Sequence, residues 1–89
     1  MDDVLTAAAS RGARVVLISK PGCHLCDEAR TIIAAVTAEL GERFEEVDML
    51  QDADLLARFA EMIPVTFVDG AQHDYWRVSA DRLRAALSG

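Results

Sequence analysis

The stretch Val15-Val16-Leu17-Ile18-Ser19-Lys20-Pro21-Gly22-Cys23-His24-Leu25-Cys26 runs from an apolar segment through a Pro-Gly break to two cysteines three positions apart. An apolar run without alternation predicts a strand, here over Ala13 to Ser19, that is buried on both faces. Pro21-Gly22 ends it. Beyond the break the period changes, with Leu25, Ala29, Ile32, Ile33, Val36 and Leu40 recurring at helical spacing. Asp27 and Glu28 fall near the start of that helix, and Gly41 stands where a C-cap belongs. Cys23 therefore sits at a strand-to-helix junction, and Cys26 lies one turn further on.

Upstream, the Ala-rich stretch from Asp3 to Arg11 predicts a short helical segment that Gly12 ends. Downstream, Arg43 to Asp48 reads as a more polar strand at a sheet edge. Asp52 is a candidate N-cap for a short helix with Leu55, Leu56 and Phe59 on its apolar face. Pro64 stops that helix and disfavours helical geometry at Ile63. Val65 to Val68 is a strand, Asp69-Gly70 a hairpin signal, and Asp74 to Val78 the returning strand. On that strand Trp76 is expected to pack against a helix and Tyr75 to face the other way. Ser79 caps a last helix presenting Leu83, Ala86 and Leu87. The order βαβα then ββα implies two parallel strands joined by a right-handed crossover, plus a hairpin. With helices on both faces, this is an α/β/α sandwich.

The 89 residues suit one domain, residues 1–89, with 52% hydrophobic and 27% charged side chains as in globular proteins. Fifteen acidic against nine basic residues give a net charge of −6. That balance argues against nucleic acid, whose binding needs a basic surface, and against anionic membranes. The acidic Met1-Asp2-Asp3 opening is unlike a secretory signal, and the apolar run at Val15 is too short to span a bilayer. The expected compartment is the cytoplasm, where a C-x-x-C pair stays reducible.

The chemistry centres on Cys23 and Cys26. The helix start offers unpaired N–H groups and the positive end of the macrodipole, and Lys20 adds a nearby positive charge. Both favour a thiolate, the reactive form, at Cys23. Cys26, one turn later, is placed to attack a mixed disulfide formed at Cys23. A purely structural bridge closing so short a loop would contribute only about 2 kcal/mol. Zinc would need four N or S ligands, and Cys23 and Cys26 with His24 and His73 lack the spacing of a zinc site, so no metal ligands are assigned. His24 is read as an exposed modulator of the neighbouring thiol. Asp27 and Glu28 oppose thiolate formation.

Ser19-Lys20-Pro21-Gly22-Cys23-His24-Leu25-Cys26 resembles the active-site stretch of glutaredoxins, and Ile63-Pro64-Val65 resembles the cis-proline segment of the thioredoxin superfamily. The chain is similar to small bacterial glutaredoxin-like proteins from about residue 13 to 87. The resemblance implies a thioredoxin fold, a four-stranded mixed sheet in the order 2-1-3-4, a cis bond before Pro64 and substrate backbone pairing at Ile63. It implies a thiol–disulfide oxidoreductase, with a disulfide-bearing protein or low-molecular-weight thiol as partner and a reductase or glutathione as electron donor. No bound cofactor is expected; glutathione is a candidate co-substrate, and the expected state is a monomer. Glutaredoxins carry a Gly-Gly-x-Asp turn where this chain has Asp74-Tyr75-Trp76-Arg77-Val78-Ser79. The alternative is a thioredoxin-fold binding module, a metal or iron–sulfur carrier or a docking domain, without redox turnover.

Overall fold

Strand β1 (Val15–Ser19) is buried at every position in the computed structural model, which describes residues 2–88. Met1 and Gly89, the outer bounds of the expected domain, lie outside the described residues. The side chains of β1 alternate between two cores. Val16 and Ile18 join Ala8, Leu55, Phe59, Val65 and Phe67 on one face; Val15 and Leu17 join Ile33, Val36, Leu83 and Leu87 on the other. A strand apolar on both sides is stable only when helices cover both.

Those helices are α1 (Asp2–Ser10) and α3 (Ala53–Phe59) on the first face, and α2 (His24–Leu40) and α4 (Ala80–Ser88) on the second. Strands β2 (Phe44–Asp48), β3 (Val65–Val68) and β4 (Ala71–Tyr75) complete a four-stranded sheet in the order β2-β1-β3-β4. The β1–β2 pair is parallel and connected by α2, while β3 runs antiparallel to β1 and to β4. This is the α/β/α sandwich with a mixed 2-1-3-4 sheet expected from the sequence, a thioredoxin fold.

Local chemistry sets the element ends. Gly41 closes α2 in the left-handed region (φ 69°), its N–H donating back to Thr37 and Ala38 carbonyls. A 3-10 turn, Met49–Gln51, links β2 to α3, and the Asp52 side chain caps α3 by accepting from Asp54 and Leu55 N–H groups. Asp69 and Gly70 both have positive φ, a tight hairpin turn that starts β4 at once.

That tight turn corrects one expectation. The returning strand is Ala71–Tyr75, not Asp74 to Val78, because no loop residue separates Gly70 from the ladder. A register shift between Thr66 and Phe67 then carries the polar Gln72-His73-Asp74 segment along the sheet edge. Trp76 falls beyond the strand. It is 53% exposed rather than packed between strand and helix, and Tyr75 beside it is exposed as well.

Candidate active site

Cys23 and Cys26 are joined by a disulfide, with Cα atoms 5.2 Å apart. Cys23 is the N-cap of α2: its backbone is extended and its Sγ accepts a hydrogen bond from the Cys26 N–H at 3.2 Å. A thiolate at that position takes the place of the Asp or Ser oxygen that usually caps a helix. The donor and the helix dipole stabilise it by about 0.3–1 kcal/mol or more. Cys26 is fully buried, in the core with Ile18, Phe59, Ile63 and Val65. Cys23 is only partly buried at the margin of that core. The two sulfurs are chemically unequal.

Lys20 lies in the turn between β1 and α2, exposed and without an ion-pair partner among the described residues. His24 is almost wholly exposed, its Nε2 3.8 Å from Glu28. The carboxylates after the cysteines are both paired: Asp27 with Arg30 at 2.7 Å, and Glu28 with Arg77 at 3.3 Å. Arg30 also holds Glu46 of β2, which accepts from the Ser19 hydroxyl. Arg30 in the first place, and Ser19 to a smaller extent, keep the Glu46 carboxyl below its ordinary range. The base of the site is therefore stitched between β1, β2 and α2.

Pro64 is buried and the Ile63–Pro64 peptide is cis. Ile63 sits in the same core as Cys26, and among the described residues its N–H and C=O make no backbone hydrogen bond. Trp76 N–H donates to Pro64 O at 2.7 Å, which ties the chain after β4 to the loop beside the cysteines. Cys23, Cys26, Ile63 and Pro64 thus converge. Lys20 and His24 flank them on the surface.

Sequence reasoning missed the far side of the site. Leu25, Ile63, Tyr75, Trp76 and Arg77 line an open groove of about 360 Å³ next to the cysteine pair. The Asp27–Arg30 pair carries a signal at i,i+3. Nothing in the sequence announces Arg77 against Glu28. Among the described residues no group of three or more His, Cys, Asp or Glu is placed to hold a metal ion, and no helix is long and apolar enough to cross a membrane.

Comparison with known proteins agrees with this geometry. A family model described as Glutaredoxin-like domain (DUF836) matches residues 14–88. An uncharacterized protein of Mycobacterium tuberculosis is 32% identical over 80 residues, 84% of this chain and 82% of that protein. A structural-genomics target protein from X. campestris has a TM-score of 0.69 and 31% identity, covering 83% of this chain and 95% of its own. Fasciola hepatica thioredoxin, at 21% identity, shares the fold with a TM-score of 0.62 over 98% of this chain and 90% of its own.

Proposed function

The chain belongs to the glutaredoxin-like domain family, and on that premise we propose that it is a dithiol thiol–disulfide oxidoreductase. The observation that carries the reading is the inequality of the two sulfurs: Cys23 at the margin of the core, capping α2, and Cys26 fully buried. The Cys23 thiolate attacks one sulfur of a substrate disulfide, forming a mixed disulfide and expelling the other sulfur as a thiolate that takes a proton from water. Cys26 then loses its proton and attacks Cys23. The Cys23–Cys26 disulfide forms and the second substrate thiol leaves. Two electrons have passed from protein to substrate, and the disulfide seen here is the oxidised product state. A dithiol reductase or glutathione returns the electrons, and the setting we assign is the cytoplasm. Lys20 and His24 support the thiolate, and the free main chain of Ile63 pairs with the substrate.

The Cys26→Ser variant tests this. It is expected to accumulate a mixed disulfide on Cys23, visible as a mass increment removed by reductant, while Cys23→Ser accumulates none. Trapping by Cys23→Ser instead would reverse the roles, and no turnover of any disulfide would remove the reading. The pair's reduction potential is expected at roughly −200 to −270 mV, as in related proteins.

A further inference from the structure

Trp76 is the chain's one tryptophan, and it adopts φ +64°, a region that bulky residues seldom enter. Three hydrogen bonds hold it there, all to carbonyls of the loop before β3. Its N–H donates to Pro64 at 2.7 Å and to Met62 at 3.3 Å, and its indole Nε1–H donates to Glu61 at 3.1 Å. Yet the residue stays about half exposed, and the Tyr75 ring meets its ring edge-on with centroids 5.1 Å apart. Core packing does not account for a strained, well-anchored and exposed aromatic pair. Strain of this kind collects at ligand clamps.

What the conformation achieves is a wall. Tyr75 and Trp76 close one side of the groove whose other apolar surfaces are Leu25, between the cysteines, and Ile63, before Pro64. A recess of about 90 Å³ continues it over Ala29 and Ile32. Arg77 stands at the junction of the two, its side chain 76% exposed, and among the described residues Glu28 at 3.3 Å is its single partner, leaving most of its donors for a ligand. Apolar walls with one exposed guanidinium match a ligand that is apolar at one end and anionic beside it.

We infer that this groove is a substrate subsite that receives a large apolar side chain next to the reacting cysteine of a disulfide-bearing polypeptide, with Arg77 meeting a carboxylate on the same segment. The inference rests on the oxidoreductase reading and names its substrate class. An extended segment pairing with the free main chain of Ile63 lies along this groove, which brings a residue flanking the cysteine over Leu25 and Trp76. A small polar thiol has nothing to fill those walls.

The test uses peptides whose cysteine is linked to one common small thiol and flanked by Phe-Glu, Phe-Lys or Ser-Glu, with oxidised glutathione and bis(2-hydroxyethyl) disulfide as references. The expected kcat/KM for Phe-Glu exceeds Ser-Glu at least tenfold and Phe-Lys severalfold. Tyr75→Ala and Trp76→Ala shrink the first ratio toward one, and Arg77→Glu inverts the second; ratios within one variant cancel any general loss of activity. A Phe-Glu peptide with Ser in place of Cys shifts the Trp76 emission to the blue, and the Ser-Glu peptide does not. Equal rates for the three peptides, or oxidised glutathione turned over as fast as Phe-Glu, would overturn the subsite while leaving the oxidoreductase reading intact. If no disulfide is turned over, the oxidoreductase reading fails, and the emission shift alone decides whether the groove binds.

Discussion

Two carboxylates follow the cysteine pair in α2, and each repels a thiolate at Cys23 unless a cation answers it. Arg30 answers Asp27 at 2.7 Å, and Arg77 answers Glu28 at 3.3 Å. The first pairing was legible in the sequence as an i,i+3 spacing. The second was not, because Arg77 lies 49 positions from Glu28 and reaches it only through the fold. Removing the guanidinium in Arg77→Ala leaves Glu28 to act on Cys23, so the thiol pKa is expected to rise. The pair is exposed and worth about 0.2–1 kcal/mol, and only part of that reaches Cys23, so the rise is expected to be a small fraction of a pKa unit. The pH profile of alkylation of the reduced protein by iodoacetamide reads it directly. The rise should vanish in 1 M salt, where the screening length is about 3 Å. It should also vanish in the double variant with Glu28→Gln. A rise that survives the double variant would show that Arg77 acts on Cys23 by another route.

At the scale of elements, what was legible is what local chemistry determines. The α2 period, the Gly41 stop, the Asp52 cap and the Asp69-Gly70 turn each rest on side chains within a few positions of the feature they set. The start of β4 was misplaced because Trp76 and Val78 look like strand residues, while the actual strand carries Gln72, His73 and Asp74 on an edge where polarity is no handicap. The Asp52 cap also has a measurable role. It accepts two N–H groups, at 2.9 and 3.2 Å, at the start of a seven-residue helix that places Leu55 and Phe59 in the core with Cys26 and Ile63. Asp52→Ala should lower stability by about 1 kcal/mol in urea unfolding of the oxidised protein. Gly41→Ala should cost about 1 kcal/mol by a different route, forcing a Cβ into the left-handed region although no atom lies close enough to clash. A loss below about 0.3 kcal/mol in either variant would mean that the cap is redundant.

The two-core architecture was readable from a single doubly buried strand, but the ion pairs that tie its layers together were not, since their partners are remote in sequence. Arg11 binds Glu45 across 34 positions, and Arg14 binds Asp69 across 55 while also reaching Glu42 and the Leu87 carbonyl. Arg30 closes the corresponding link to Glu46 beneath the active site. In each case the arginine holds its carboxylate below the ordinary value, Glu45 chiefly through Arg11, Glu46 through Arg30 and Asp69 through Arg14. A carboxyl whose pKa is lower folded than unfolded leaves the unfolded chain binding more protons between the two values, so stability rises with pH there. The contribution is complete above the unfolded values, 4.5 for the glutamates and 3.8 for Asp69, and is lost as pH falls through the folded ones. Relief of self-repulsion acts in the opposite sense only while the charge of −6 is being titrated away, down to the isoelectric point near 4.7; below it the chain is cationic and added acid strengthens the repulsion. Below about pH 4.5 the loss of the three pairs and the growing positive charge therefore act in the same direction, and stability falls. Glu45 and Asp69 are each held by one arginine, whereas Glu46 also accepts from the buried Ser19 hydroxyl. Glu46→Gln should therefore cost about 1–2 kcal/mol at pH 7, and its deficit relative to the parent should narrow steadily between about pH 4.5 and pH 3, as the parent's own Glu46 takes up a proton. Urea midpoints of the two oxidised proteins across that range give the result, and a deficit that stays constant down to pH 3 would show that Glu46 holds the layers together by shape rather than by charge.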